Sequence, residues 1–253
     1  MSDHLLYEDM STRRLTWLRF KRHKLALISG GFLIFIYLIA IFCEFFAPYE
    51  PNWRNPKAIF APPQEIHFFE ANGDFQFRPF VYGYTLRINP ETWVREYTED
   101  ISEKHPIYFF SKGQKYQFWN LFTANHHFIT TSEGQYLHIF GTDKLGRDIL
   151  SRITYGARIS LSLGLIGVVL TLVLGVLIGG LAGYIGGRTD NLIQRLIEVL
   201  QSIPTLPLWM ALSAAVPVHW SPLGVYFSII VILSFIQWTG LARVVRGRFL
   251  ALR

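Results

Sequence analysis

The chain has 253 residues, 51% of them hydrophobic and only 17% charged, with a formal net charge of +6. That balance excludes a disordered chain and argues for an integral membrane protein. The positive charge lies beside apolar runs, at Arg13, Arg14, Arg19, Lys21, Arg22 and Lys24 and again at Arg243, Arg246, Arg248 and Arg253. This is the pattern of cytoplasmic flanks and not of a nucleic-acid surface. One cysteine, Cys43, leaves no intrachain disulfide to form.

In chain order, residues 1–24 are basic and carry Trp17 and Phe20 among the arginines. Leu15, Leu18, Arg19 and Arg22 predict a short cytoplasmic helix at the membrane surface. Leu25–Phe46 is the first predicted span. It is long for a signal-peptide core and has no small-x-small cleavage site, so it reads as a retained anchor. Residues 47–140 form a predicted external (periplasmic) insertion, entered through a linker with prolines at 48, 51, 56, 62 and 63. Asn72-Gly73 between Glu65–Glu70 and Phe75–Ile88 predicts a hairpin. Phe80, Tyr82, Tyr84, Leu86 and Ile88 alternate as in a half-buried strand. Ile107–Phe110, Tyr116–Trp119 and Tyr136–Phe140 are weaker strand candidates. A small β-rich subdomain is expected, serving either as a lid or docking surface or as a spacer.

Residues 141–158 predict an interfacial amphipathic helix, with Asp143 as N-cap. Asp143–Arg147, Lys144–Asp148 and Asp148–Arg152 are its i,i+4 pairs. No Lys, Arg, Asp or Glu then occurs between Arg158 and Arg188, nor from Val199 to Ala242. A spanning helix needs about 20 apolar residues, and a central charge costs about 2.5–3.5 kcal/mol. The prolines of Pro217–Pro222 divide the second stretch. Spans are therefore predicted at 159–185, 199–216 and 223–242 within a core of 159–253. Four spans and a basic start place the N-terminus in the cytoplasm.

Gly175, Gly179, Gly183 and Gly187 recur every four residues, a stripe that lets another helix approach closely. Asp190, Arg195, Glu198 and Pro204 make a candidate gate at the entrance to the third span: a charged pair beside a bent helix, or equally a surface ion pair and a static kink. Gln201 and Gln237 either face a pore or bond a neighbouring helix. Gly141-x4-Gly146-Arg147-Asp148 lacks the Lys and Ser/Thr of a P-loop, so the chain is not expected to hydrolyse ATP. His105, His126, His127 and His138 lack metal-ligand spacing, and no Gly-x-Ser-x-Gly occurs. No catalytic residue, metal or cofactor is expected.

The run GTDKLGRDILSRITYGARISLSLG at 141–164 resembles the permeases of bacterial dipeptide, oligopeptide and nickel ABC importers, specifically the C-type subunit (the binding-protein-dependent transport system inner membrane component). Its motif positions are Gly141, Thr142, Asp143, Gly146, Arg147, Asp148, Ser151, Arg152, Gly156 and Arg158. Ala182–Gly187, Asp190, Arg195, Glu198, Pro204 and the ending WTGLARVVRGRFLALR follow the same pattern. The resemblance implies an all-α polytopic membrane protein with a partial type I importer fold and a β-rich external insertion. It implies a transport subunit, not an enzyme, in the bacterial inner membrane. Its implied partners are a second permease, two ATPases, an external substrate-binding protein and membrane lipid, with no nucleic acid. In that family an ATPase-docking loop with an Ala-Ala-x3-Gly core and two more spans follow the position of Arg253, so a fragment of a longer product is expected. The alternatives are a nonenzymatic scaffold with an external partner, a nickel or other small-solute permease, and an ion-coupled transporter. The last predicts ionisable residues in the spans, and spans two to four have none.

Overall fold

The computed structural model describes residues 12–91, 93–132 and 134–252. Residues 1–11 of the expected surface helix, and Arg253 of the closing motif, lie outside the described residues. The chain divides into two compact units, Met1–Arg158 and Ile159–Arg253.

The first unit opens with α1 (Thr12–Arg22), α2 (Lys24–Ile41) and the single turn α3 (Cys43–Phe46). The break between α1 and α2 falls at His23, whose Nδ1 accepts the Ala26 N–H at 3.1 Å and so caps α2. At about 1.5 Å per residue, α2 is about 27 Å long, close to the thickness of a hydrocarbon core. Its side chains are largely unburied by protein.

Five strands follow: β1 (His67–Phe69), β2 (Phe75–Ile88), β3 (Arg95–Pro106), β4 (Tyr108–Phe118) and β5 (Phe122–Thr130). All pairings are antiparallel, with β1-β2-β3 in one sheet and β4-β5 in another. The β1–β2 turn is closed by the Glu70 N–H on Asp74 O at 2.9 Å, with Gly73 at φ +86°. Val81, Ile107, Ile129 and Leu137 form the core.

Several expectations need correction. β2 does not alternate throughout. Phe80, Val81 and Tyr82 are all buried, while Ile88 is exposed, because the strand runs past the core it serves. The candidates at 107–110 and 116–119 are one bulged strand, β4. Tyr136–Phe140 is not a strand. It is held instead by Gln64, which donates its N–H to His138 O and accepts the His138 N–H on its side chain. The charged strand β3 and the strand β5 were not anticipated.

The second unit contains α4 (Ile149–Ile185) from Ile159 onward, then α5 (Gly187–Ser202), α6 (Thr205–Ala214) and α7 (Pro222–Leu252). The expected single span over 199–216 is broken. Ile203 is extended (ψ 127°) ahead of Pro204, which lacks an N–H, and α5 and α6 meet at 83°. α7 starts where Pro222 can occupy the first helical turn, with the Ser221 hydroxyl accepting the Gly224 N–H at 3.2 Å. It continues ten residues beyond the expected end at 242, to Leu252.

Among the described residues, three helices are long and apolar enough to cross a membrane: Lys24–Ile41, Ile149–Ile185 and Pro222–Leu252. The bent pair α5–α6 makes a fourth if it counts as one broken span. The core of the second unit is Ile197 of α5 with Trp238 and Ala242 of α7, lined by Leu174 and Ile178 of α4.

Candidate functional site

The motif block at 141–158 is not a helix from its start. Residues 141–148 form a tight loop, and α4 begins only at Ile149. Gly141 and Gly146 have φ of +72° and +71°, which stops a right-handed helix there. The Asp143 carboxylate caps no helix. It accepts the N–H groups of Leu145 at 2.8 Å and Arg147 at 3.0 Å, as in an Asx turn. Arg147 and Arg152 both reach it with their guanidinium groups. Burial alone would raise the Asp143 carboxyl, but the Arg147 guanidinium with the N–H groups of Arg147 and Leu145 outweighs it and holds it at about 2.

Asp148 is the true cap of α4, accepting the N–H and the hydroxyl of Ser151, each at 2.7 Å. Its other oxygen faces His138 Nδ1 at 3.1 Å, and both side chains are buried. The expected pairs Lys144–Asp148 and Asp148–Arg152 therefore do not form: Asp148 points inward, and Arg152 turns to Asp143.

This loop is a clasp on the proline-rich linker. Thr142 Oγ1 accepts the Ala61 N–H at 2.9 Å and donates to Ala58 O. A Cβ on Gly146 would lie 2.1 Å from Asn55 O, and one on Gly141 would lie 2.5 Å from Ala61 O. The order Gly-Thr-Asp thus has a packing cause that charge pairing could not supply. Gly156, by contrast, has open space where a Cβ would go.

At the end of the first span lies a pair that sequence reasoning missed. Arg158 holds both oxygens of Glu44 and also donates to the carbonyls of Ala40 and Ile41. Glu44 is buried. The signal was available: a carboxylate inside the apolar run 25–46 needs a partner.

In the second unit, three of the four stripe glycines pack against α7. A Cβ at Gly175 would meet the Leu241 side chain at 2.8 Å. At Gly179 it would lie 2.3 Å from Ala242 O, and at Gly183 2.6 Å from Phe249 Cβ. Gly187 is not part of this stripe. It lies past the end of α4 with φ +57°, where Gly186 and Gly187 turn the chain into α5.

The four candidate gate residues do not converge. Asp190 pairs with Arg246 of α7 through two bonds of 2.5 and 2.6 Å. Arg195 and Glu198 form an exposed pair on one face of α5. Pro204 sits at the α5–α6 bend. Gln201 donates to Thr239 Oγ1 of α7 at 2.9 Å, whereas Gln237 is exposed.

Two polar clefts open in the first unit. One of about 490 Å³ is lined by Glu44, Glu50, Gln117, Trp119, Tyr155 and Arg158. The other, of about 530 Å³, includes Asn55, Gln64, Tyr84, Tyr97, His105 and His138. Among the described residues, Glu65, His67 and Glu99 could hold a metal ion, with ligand atoms within 4.8 Å of one another. None of the four histidines singled out from the sequence belongs to that group.

Residues 11–63 match the family described as the N-terminal TM domain of oligopeptide transport permease C. Residues 175–253 match the binding-protein-dependent transport system inner membrane component. The first match is to a permease C domain and the second to a general permease component of binding-protein-dependent transport. The dipeptide transport system permease protein DppC of Bacillus subtilis is 44% identical over 116 residues, covering 46% of this chain and 34% of that protein. The oligopeptide permease OppC of Haemophilus influenzae is 38% identical over 135 residues, covering 53% and 40%. A more extended match is to DppC of Lactococcus lactis, 28% identical over 243 residues, covering 93% and 57%. The chain thus spans between about a third and three fifths of the length of these curated relatives.

Proposed function

We propose that this chain supplies part of the membrane pathway of an ABC importer for dipeptides or oligopeptides, with ATP hydrolysis on separate subunits. The match of residues 175–253 to the binding-protein-dependent transport component carries this reading. The geometry of that segment supports it. Close packing of α4 on α7 through Gly175, Gly179 and Gly183 gives a firm helix pair. The α5–α6 break beside it gives a bend that a conformational change could use.

In this reading the N-terminus is cytoplasmic, residues 47–140 are periplasmic, and α1 lies along the inner surface of the bacterial inner membrane. The partners are a second permease, two ATPases and an external substrate-binding protein. Asp190 with Arg246 locks α5 to α7, and Pro204 sets the bend, so these residues form the gate in place of the exposed Arg195–Glu198 pair. Alternating access requires that the bound partners favour one conformation over another.

The test is uptake of labelled dipeptides and oligopeptides by cells with and without the gene. Loss of uptake on deletion and its return on complementation, together with an ATPase subunit co-purifying with the product, is the expected result. Unchanged uptake with no ATPase captured would leave a membrane scaffold instead.

A further inference from the structure

The β4–β5 hairpin ends in Phe118-Trp119-Asn120-Leu121-Phe122, and no Lys, Arg, Asp or Glu occurs from Tyr116 to Thr131. The Leu121 N–H donates to Phe118 O at 2.8 Å across the turn. Trp119 and Asn120 both have positive φ, of 48° and 56°. Such a two-residue turn favours Asn-Gly, and a tryptophan in the left-handed region is strained. The turn sets the tip against the end of the first apolar helix. Trp119 Nε1 donates to Ile41 O at 2.9 Å, its N–H donates to Glu44, and its ring lies 4.1 Å from the Arg158 guanidinium. Phe42 stacks on Phe118 at 5.7 Å.

The tip therefore sits beside Ile41–Glu44, inside the apolar run that ends at Phe46. There it leaves Leu121 79% and Phe122 59% exposed, and the Phe122 ring joins through Phe118 to the exposed Phe42 just past α2. The β2–β3 turn makes a useful contrast. It also exposes a tryptophan, Trp93, but Arg87, Glu91 and Arg95 flank it in the sequence.

We propose that the β4–β5 hairpin tip is immersed in the lipid bilayer, in the leaflet at the Phe46 end of α2. Leu121 and Phe122 enter the acyl boundary. Trp119 stays at headgroup depth and roofs the Glu44–Arg158 pair, an arrangement suited to an interfacial tryptophan. The hairpin is thus a lipid anchor for the folded β unit and not a free loop. This needs α2 to cross the membrane, whatever the transported solute.

The test uses the full chain in phosphatidylethanolamine–phosphatidylglycerol vesicles, with nitroxides at Leu121→Cys and, separately, Phe122→Cys. Phe35→Cys in mid-α2 and Phe77→Cys on β2 serve as references, and the parent chain treated with the same nitroxide reagent checks that buried Cys43 stays silent. Collision with oxygen several-fold above collision with a water-soluble nickel chelate is expected at 121, 122 and 35, and the reverse at 77. Chelate-favoured collision at 121 and 122, with 35 still oxygen-favoured, overturns the immersion alone. Low collision with both at 121 and 122 means that protein covers the tip, which also overturns it. A chelate-favoured result at 35 removes the span and the anchor together.

Discussion

Arg158 reaches across 114 residues of sequence to grip Glu44 at both carboxylate oxygens, with an Nη1–Oε1 bond of 2.6 Å. The two groups lie at the end of the first apolar run, with Glu44 buried and Arg158 partly buried. Arg158 also closes the carbonyls of Ala40 and Ile41, which α2 leaves open at its C-terminus.

Removing one partner leaves the other charge stranded. Arg158→Met is expected to cost about 3–5 kcal/mol. The double variant Glu44→Leu/Arg158→Met is expected to recover most of that loss. Thermal unfolding in detergent across the full double-mutant cycle reads the coupling. Additive losses would show that the pair is not coupled.

Gly179→Ala puts a methyl 2.3 Å from Ala242 O, a backbone atom that cannot swing aside. A loss of about 1–3 kcal/mol is expected from overpacking and, on the proposed function, reduced peptide uptake. Gly164→Ala meets nothing within 4 Å and is expected to be neutral or to stabilise α4 by up to about 1 kcal/mol. Equal behaviour of the two variants would remove the packing role of the stripe.

Gly146→Ala and Gly134→Ala separate strain from contact. Both glycines have positive φ, but only Gly146 presses on Asn55 O. Gly134→Ala is expected to cost about 1–2 kcal/mol from backbone conformation alone, and Gly146→Ala clearly more. Protease cleavage within residues 48–66 is the direct readout, since release of the clasp exposes that linker.

Asp143 supplies the acid limit of the clasp. Its carboxyl is lowered from 3.8 to about 2, so its contribution is fully present above about pH 4 and is lost as the pH falls through about 2. Between those values the wild-type linker should become protease-sensitive to an acid-stable protease. Asp143→Asn should be sensitive already at pH 7 and lose that part of the pH dependence. An unchanged acid profile in the variant would assign the transition elsewhere.

Much of the membrane architecture was legible because a bilayer leaves a long, simple signature. Apolar runs predicted spans at 25–46, 159–185 and 223–242, which overlap the helices at 24–41, 149–185 and 222–252 without giving their ends. Pro217–Pro222 marked a break, whereas at Pro204 a bend was expected inside one span and two helices were found. The glycine stripe showed its period, but not that Gly187 would leave it for a turn. The β unit was harder to read. β3 is paired on a face open to water, so its charges conceal a strand, and the 141–148 loop mimics a helix because opposite charges four apart suit either structure.

Composition and spacing alone determined that apolar helices would form and roughly where they would break, since both depend on solvent preference and on the missing proline N–H. Only the tertiary structure decided which charges meet. Glu44 finds Arg158, Asp190 finds Arg246, Asp148 finds His138, and the glycines of 141–146 find the 55–62 backbone. Apart from His138 and Asp148, ten residues apart, these partners are distant in sequence; all are joined by the three-dimensional path of the chain, which no local pattern encodes.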